Sequence, residues 1–224
     1  MPSSFRTEPP DPPPDPPPVL ALTGATGYVG RYVAAMADRA GWQVRALARA
    51  GSDRSGFDQP VAWVTGRFDD PTAQQALVTG ADALVHAGFE HVPGRYRGGE
   101  GDDLDGFLSV NLMGSLRLLQ QARAAGVARA VLVSSRAVIA EPLTPGPLTE
   151  RHPATPDTHY GALKASLEAF ASAWGRGADG SPWPVTVLRA TGVYGLMHPF
   201  ERTKWLETIR AARAGQDPGG ARGG

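Results

Sequence analysis

The chain has 224 residues without a cysteine, and its 22 basic residues balance 22 acidic ones. The missing cysteines exclude disulfides, thiolate nucleophiles and cysteine metal sites. No apolar run approaches the roughly 18–20 residues that a membrane-spanning helix needs, and the zero net charge gives no support to nucleic-acid binding. We therefore expect a soluble, cytoplasmic globular protein with no nucleic-acid and no membrane partner.

Both ends of the chain predict little regular structure. Residues 1–18 hold nine of the 21 prolines, which excludes helix and inner strand, and they lack the apolar region of a secretory signal. We predict that residues 1–18 form a disordered tail, and a proline-rich ligand for a partner module is the alternative. Residues 216–224 carry four glycines and a proline and are also expected to be unstructured.

Between these ends, short apolar runs alternate with segments of helical periodicity. The predicted strands are Val19–Leu22, Trp42–Ala48, Val61–Val64, Ala83–His86, Ala130–Val133 and Val185–Leu188. The predicted helices are Tyr28–Ala40, Pro71–Val78, Leu108–Ala125 and Thr158–Trp174. This alternation predicts βαβ units, and hence an α/β fold: a Rossmann-type doubly wound parallel sheet with helices on both faces.

A glycine-rich loop connects the first predicted strand to the first helix. It consists of Thr23, Gly24, Ala25, Thr26, Gly27, Tyr28, Val29 and Gly30. Glycines here allow a tight turn, close approach of the backbone to a diphosphate, and close packing of helix on strand. The helix N-terminus presents free N–H groups and a positive dipole end to phosphate. The loop therefore predicts dinucleotide binding, and a plain βα turn is the alternative.

The end of the second strand bears on the choice of dinucleotide. An acidic residue there would bind the 2′-hydroxyl of NAD, whereas an arginine accommodates the 2′-phosphate of NADP. This strand ends in Ala48-Arg49, with Ser52 and Arg54 close behind. Arg49 therefore favours NADP over NAD, although a solvated strand-end arginine is an alternative interpretation.

Tyr160 and Lys164 stand four residues apart in a predicted helix, so they share one face. A free phenol has a pKa of about 10 and is a poor base at neutral pH, but a nearby ammonium lowers that pKa. A tyrosine–lysine pair can therefore act as a proton-transfer catalyst beside a nicotinamide.

Polar residues elsewhere complete the candidate site. Ser134 and Ser135 end the fifth strand, where either hydroxyl could donate to a substrate oxygen. Asn111, in the long helix, is a candidate for holding a relay water, and local hydrogen bonding is the alternative. The five histidines show no metal-ligand spacing, so no metal site is predicted, and His86 is expected to pack or to line the pocket.

The order and spacing of these pieces resemble the extended short-chain dehydrogenase/reductases, the NAD-dependent epimerase/dehydratase family. The resemblance runs from Val19 to about Pro199. The matching pieces are the Thr23–Gly30 loop, His86-Ala87-Gly88, Val110-Asn111 with Gly114, Val133-Ser134-Ser135, Tyr160-x-x-x-Lys164, and the run from Leu188 to Gly195. Their shared order makes the resemblance specific.

The resemblance implies a role for each site residue. Tyr160 is the acid/base, Lys164 lowers its pKa and binds the cofactor ribose, and Asn111 completes a proton relay. Ser135, rather than Ser134, is the substrate hydrogen bonder, because the family's serine lies about 25 residues before its tyrosine. His86, Ala87 and Gly88 lie against the cofactor.

The implied function is hydride transfer between NADP or NAD and a carbinol or ketone carbon. The substrate class is a nucleotide sugar or a small ketone, and epimerase, dehydratase and reductase activities remain alternatives. A regulator that binds the dinucleotide without turnover, or an inactive truncated homologue, is the competing hypothesis. A homodimer is left open as the oligomeric state.

Three departures from the family pattern stand out. Arg67 occupies the place of an acid that contacts the adenine, and Ala190 replaces a common proline. Members also usually continue for roughly another hundred residues that build the substrate domain. We therefore divide the chain into a tail over 1–18, an NAD(P)-binding Rossmann domain over 19–199, and a short remnant of the substrate region with a flexible tail over 200–224.

Overall fold

The computed structural model describes residues 16–92, 99–140, 146–178, 180–203 and 205–216. Its strands are β1 (Val19–Thr23), β2 (Gln43–Ala48), β3 (Val61–Thr65), β4 (Ala83–His86), β5 (Arg129–Ser135) and β6 (Val185–Ala190). Its α-helices are α1 (Tyr28–Arg39), α2 (Pro71–Val78), α3 (Leu104–Leu108), α4 (Gly114–Ala124), α5 (His159–Gly175) and α6 (Leu206–Arg213). Most residues of the predicted tails, 1–15 and 217–224, lie outside the described residues.

The six strands form one parallel sheet in the order β3-β2-β1-β4-β5-β6. The chain runs outward from β1 to β3, then crosses back to β4 beside β1 and continues to β6. This reversal of direction next to β1 is the topological switch point at which such sheets bind ligands. The predicted doubly wound parallel sheet is therefore confirmed.

Side chains that alternate along each strand build two apolar cores, one on each face of the sheet. Leu22 of β1 packs with Ala34 of α1 in the smaller core. Its neighbour Ala21 points to the other face, where the larger core joins residues of α2, α4 and α5, such as Leu77 and Leu119. Because successive strand residues point to opposite faces, these short apolar strands hold helices on both sides of the sheet, as predicted.

The long helix differs from its predicted form. It begins at Leu104 instead of Leu108, because the carboxylate of Asp103 accepts the Gly106 N–H at 2.8 Å and caps the helix. Residues Ser109–Met113 then form a π-helical turn between α3 and α4. Single π-helical turns inside α-helices often occur at functional sites, and this one contains Asn111.

Among the residues that the structure describes, the α1 face of the sheet is incompletely covered. An apolar groove of about 670 Å³ runs between α1 and strands β1, β4 and β5, lined by residues that include Val33, Met36 and Val131. The edge strand β6 exposes half of Leu188, and Tyr194 beyond it is 73% exposed. In the part of the chain that the structure describes, no helix is both long and apolar enough to span a bilayer.

Candidate active site

Parallel pairing brings the carboxyl ends of β1, β4 and β5 to one edge of the sheet. Thr23 aligns with His86 in the β1–β4 ladder, and His86 aligns with Leu132 in the β4–β5 ladder. The glycine loop, the residues after β4 and the two serines at the end of β5 therefore surround one site. The structure brings these predicted pieces together.

The glycine loop, residues 23–30, forms a cradle of backbone in which Gly24 and Gly30 have no room for a side chain. Gly24 has a φ of +73°, and a Cβ there would lie 2.7 Å from the Ala87 carbonyl carbon. A Cβ on Gly30 would lie 2.6 Å from the Gly24 carbonyl carbon. The first contact sets the loop against the end of β4, and the second sets α1 against the loop. Both positions therefore require glycine for the backbone to turn and pack this closely.

The N-terminus of α1 has the features of an anion site. Gly27 occupies the cap position and has no side chain with which to bond the first N–H groups, and the first turn holds no acidic residue. The first N–H groups of a helix lack carbonyl partners within the helix, so they are available to a ligand. Together with the open cradle, this geometry fits a dinucleotide diphosphate.

His86 is fully buried beneath the loop and links three parts of the site. The Ser115 hydroxyl donates to the Asn111 carbonyl, so its oxygen accepts from His86 Nε2 at 2.7 Å. His86 Nδ1 is then the acceptor for the Thr23 hydroxyl at 2.6 Å, and the Thr23 oxygen accepts the Gly88 N–H at 3.0 Å. Burial lowers the pKa of His86 to about 3, so the ring is neutral and this single tautomer satisfies every bond.

Arg49 follows directly after β2, on the far side of the glycine loop from β4. Its side chain is exposed, while the neighbouring Arg54 donates to Thr65 Oγ1 at 2.7 Å and lies over the ring of Trp63. Arg31 of α1 donates to the Ser55 carbonyl at 2.7 Å. These contacts order the loop after β2. Arg54 Nη2 also lies 3.4 Å from the Ala48 carbonyl, so both Arg49 and Arg54 place a cation near the strand end.

Lys164 and Tyr160 lie at the start of α5, beside the end of β5. Lys164 Nζ donates to the Val133 carbonyl at 2.9 Å and lies 5.9 Å from the centre of the Tyr160 ring. Burial lowers the pKa of Lys164 to about 8, opposed by the charge of Glu168. Ser135, two residues after Val133, accepts the Ala137 N–H at 3.1 Å and caps the 3₁₀ turn Arg136–Val138.

Asn111 clamps the backbone after β4. Its Oδ1 accepts the Glu90 N–H at 2.8 Å, and its Nδ2 donates to the carbonyls of Glu90 at 2.8 Å and Phe107 at 3.0 Å. The side chain is buried, and both amide hydrogens are committed to the backbone. These contacts therefore position the backbone of residues 89–90. The relay role of Asn111 stays a prediction.

Sequence reasoning missed a partly buried ion pair behind Lys164. Arg189 of β6 contacts the Glu168 carboxylate through Nε at 3.0 Å and Nη2 at 2.7 Å. Ser134 donates to the same carboxylate at 2.5 Å, and Arg189 also holds the His152 carbonyl at 3.1 Å. The signal in the sequence was Glu168, which stands one helical turn after Lys164 and on the same face.

Phe89 was also missed, and its ring faces the catalytic candidates. It packs edge-on against Tyr160 with 4.9 Å between ring centres, and Lys164 Nζ lies 4.8 Å from its centre. Arg67, which replaces the expected acid, pairs with Asp69 at 3.1 Å and with Glu90 at 3.0 Å. The Glu90 side chain is thereby tied to the end of β3.

The sequence of this chain matches a protein-family model and is similar to several known proteins. Residues 20–221 match the model of the NAD dependent epimerase/dehydratase family. A ceramide reductase of Caulobacter vibrioides is 38% identical over 120 residues, which cover 53% of this chain and 35% of that protein. A UDP-glucose 4-epimerase of Streptomyces lividans is 30% identical over 174 residues, 72% of this chain and 50% of that protein.

A solved structure of known fold also resembles this chain. The short-chain dehydrogenase/reductase superfamily protein of Agrobacterium tumefaciens, crystallised with bound NAD, superposes with a TM-score of 0.59 at 29% identity. The match covers 76% of this chain and 48% of that one. The chain thus spans roughly one third to one half of the length of these three relatives.

Proposed function

Because the chain belongs to the NAD-dependent epimerase/dehydratase family, we propose that it transfers hydride between a nicotinamide cofactor and a carbinol or ketone carbon. The observation that carries this proposal is the meeting of two features at one sheet edge. These are the uncapped N-terminus of α1 behind its glycine cradle and the Tyr160–Lys164 pair beside the end of β5. The first suits a dinucleotide, and the second suits proton transfer.

The proposed cofactor site uses the cradle residues Gly24, Gly27 and Gly30 for the diphosphate. A bound nicotinamide would accept hydride from the substrate carbon or return it. Arg49 would hold a 2′-phosphate, with Ser52 and Arg54 close behind, which supports NADP over the NAD that is bound in the Agrobacterium tumefaciens structure. His86 would fix the cradle through Thr23 and keep the Gly88 N–H directed inward.

In the proposed reaction, Tyr160 takes the hydroxyl proton during oxidation and returns it during reduction. Lys164 supports the phenolate form because an ammonium within several ångströms favours a negative charge. Its bond to Val133 fixes the ammonium beside Tyr160. Ser135 donates a hydrogen bond to the reacting oxygen. The resemblance to the family implies the relay role of Asn111, whose side chain also holds the Glu90 backbone.

The relatives give two substrate classes to compare. One named relative is a ceramide reductase and another a UDP-glucose 4-epimerase. We propose a nucleotide sugar or a small ketone as substrate, with a homodimer left open and a cytoplasmic location expected. A regulator that binds the dinucleotide without turnover is the second candidate, because the glycine cradle at the N-terminus of α1 can hold a dinucleotide without the Tyr160–Lys164 pair.

Nicotinamide absorbance with panels of nucleotide sugars and ketones tests the enzyme proposal. Tyr160→Phe keeps the ring and removes the proton donor, so we expect turnover to fall by at least about 10²-fold while cofactor affinity changes little. Lys164→Ala should reduce both turnover and cofactor affinity. Cofactor binding without turnover on any panel favours the regulator, and near-wild-type activity of Tyr160→Phe contradicts the mechanism.

A further inference from the structure

Phe89 stands at the centre of the candidate site on a fixed backbone. The Gly88 N–H on one side is held by Thr23 at 3.0 Å, and both backbone groups of Glu90 on the other are held by Asn111 at 2.8 Å. Arg67 holds the side chain of Glu90 at 3.0 Å. Residue 89 is therefore anchored on both sides, and its ring can change position only by rotation of its own side chain.

The ring lies on both members of the candidate catalytic pair. It contacts the edge of Tyr160 at 4.9 Å between centres and faces Lys164 Nζ at 4.8 Å. Lys164 is only 5% exposed, and the Val133 carbonyl holds its ammonium from the side of β5. A nucleotide must therefore displace the Phe89 ring before it can contact this ammonium and this phenol.

The Phe89 ring is also close to solvent, so its side chain has space to rotate. Phe89 is only partly buried, and the two residues that follow Glu90, His91 and Val92, are exposed. Its other ring contacts are with His91, at 5.8 Å between centres, and with Phe107, at 5.7 Å. Rotation of Phe89 toward solvent would displace the exposed His91 ring and uncover the pair without any movement of the clamped backbone.

We propose that Phe89 is a gating residue, which covers Lys164 and Tyr160 and has to rotate away before a nucleotide reaches them. This inference rests on the proposed function for the identity of the nucleotide. Binding must replace the aromatic and cation–π contacts of the ring, so the apparent affinity is lowered by the stability of the covered form. Phe89 thus adjusts cofactor affinity through Lys164 and Tyr160.

The sequence offers a direct readout, because its only lysines are Lys164 and Lys204. A brief pulse of an amine-acetylating reagent, followed by mass spectrometry, measures the labelling of Lys164 against Lys204 without any substrate. We expect Phe89→Ala to raise this ratio about 5-fold or more, and added NADPH or NADH to suppress the increase. Phe89→Leu retains apolar volume without the aromatic face, so its ratio should rise about twofold.

Titration of NADPH and NADH supplies the second readout. We expect Phe89→Ala to bind the preferred cofactor about 3- to 10-fold more tightly than wild type, since ring displacement is no longer required. Phe170→Ala removes an exposed ring elsewhere on α5 and is the matched control, with both readouts unchanged. Circular dichroism verifies folding, and if Phe89→Ala does not fold, Phe89→Leu decides by the same two measurements.

An unchanged labelling ratio in a folded Phe89 variant overturns the gate, and so does weaker cofactor binding, which would make the ring part of the binding wall. Failure of every variant and of wild type to bind either cofactor contradicts the proposed function. The labelling ratio still tests the cover over Lys164 in that case, so the two failures are distinguishable.

Discussion

Lys164 Nζ donates a 2.9 Å hydrogen bond to the carbonyl oxygen of Val133, which fastens the start of α5 to the end of β5. The bond places a buried ammonium at Val133, which stands two residues before Ser135 in β5. Burial of this charge lowers the pKa of Lys164 to about 8, well below its ordinary value of 10.5. The site therefore carries a cation whose charge state changes in mildly alkaline solution.

This pKa predicts a pH dependence of stability. Below pH 8 Lys164 is charged in both the folded and the unfolded state, so the cost of its burial is present in full. Between about pH 8 and 10.5 the folded protein loses the proton first, so this group raises the free energy of unfolding as pH rises.

Lys164→Met abolishes that contribution. Urea unfolding measures the free energy of unfolding of both proteins at pH 7 and at pH 10.5. The value for the variant minus that for wild type should be lower at pH 10.5 than at pH 7, by up to about 3 kcal/mol. Glu168 is present in both proteins, so its effect on other groups largely cancels. A difference that is independent of pH would contradict the lowered pKa.

Arg49 predicts the cofactor preference. We expect NADPH to bind more tightly than NADH, because an exposed guanidinium at the end of β2 can pair with a 2′-phosphate. Arg49→Asp should erase or reverse this preference in fluorescence titrations. Arg39→Asp changes the same charge in the last turn of α1 and serves as the control. Equal affinities of wild type for both cofactors would refute the assignment.

Gly30→Ala tests the cradle. The new methyl group would lie 2.6 Å from the Gly24 carbonyl carbon, so α1 must move away from the loop. We expect cofactor affinity to fall at least about tenfold and the free energy of unfolding to fall by about 1–3 kcal/mol. Gly175→Ala, at the end of α5, meets no atom within 4 Å and is the matched control. Unchanged cofactor affinity in a Gly30→Ala protein would argue against the cradle.

The uncovered face predicts self-association. Leu188 is half exposed on the edge strand β6, and the apolar groove beside α1 adds exposed apolar surface at β1, β4 and β5. Exposed apolar patches and open sheet edges favour association with another copy, and a lysine on an edge strand opposes it. Light scattering of Leu188→Lys should show less association than wild type, whereas Thr72→Lys, at an exposed position of α2, should not. Monodisperse wild-type protein at all concentrations would exclude this prediction.

Local sequence determined much of the fold. The apolar runs and helical periodicities predicted six strands and their parallel arrangement, because burial on both faces requires continuous apolar strands and crossover helices. The glycine loop was equally readable, since Gly24 and Gly30 serve contacts with elements close by in the chain or directly paired with it. The start of the long helix was misplaced because the cap at Asp103 lies in a glycine-rich stretch that resembles a loop.

Only the tertiary structure decided which distant residues meet. The neutral His86 tautomer depends on Thr23 and Ser115, which lie 63 and 29 residues away along the chain. The Arg189–Glu168 pair and the contact of Phe89 with Tyr160 likewise join separate elements. Periodicity reports which face a side chain occupies but not which partner it finds there. Strand order and helix packing make that choice, because they set the distances between groups that the chain itself keeps far apart.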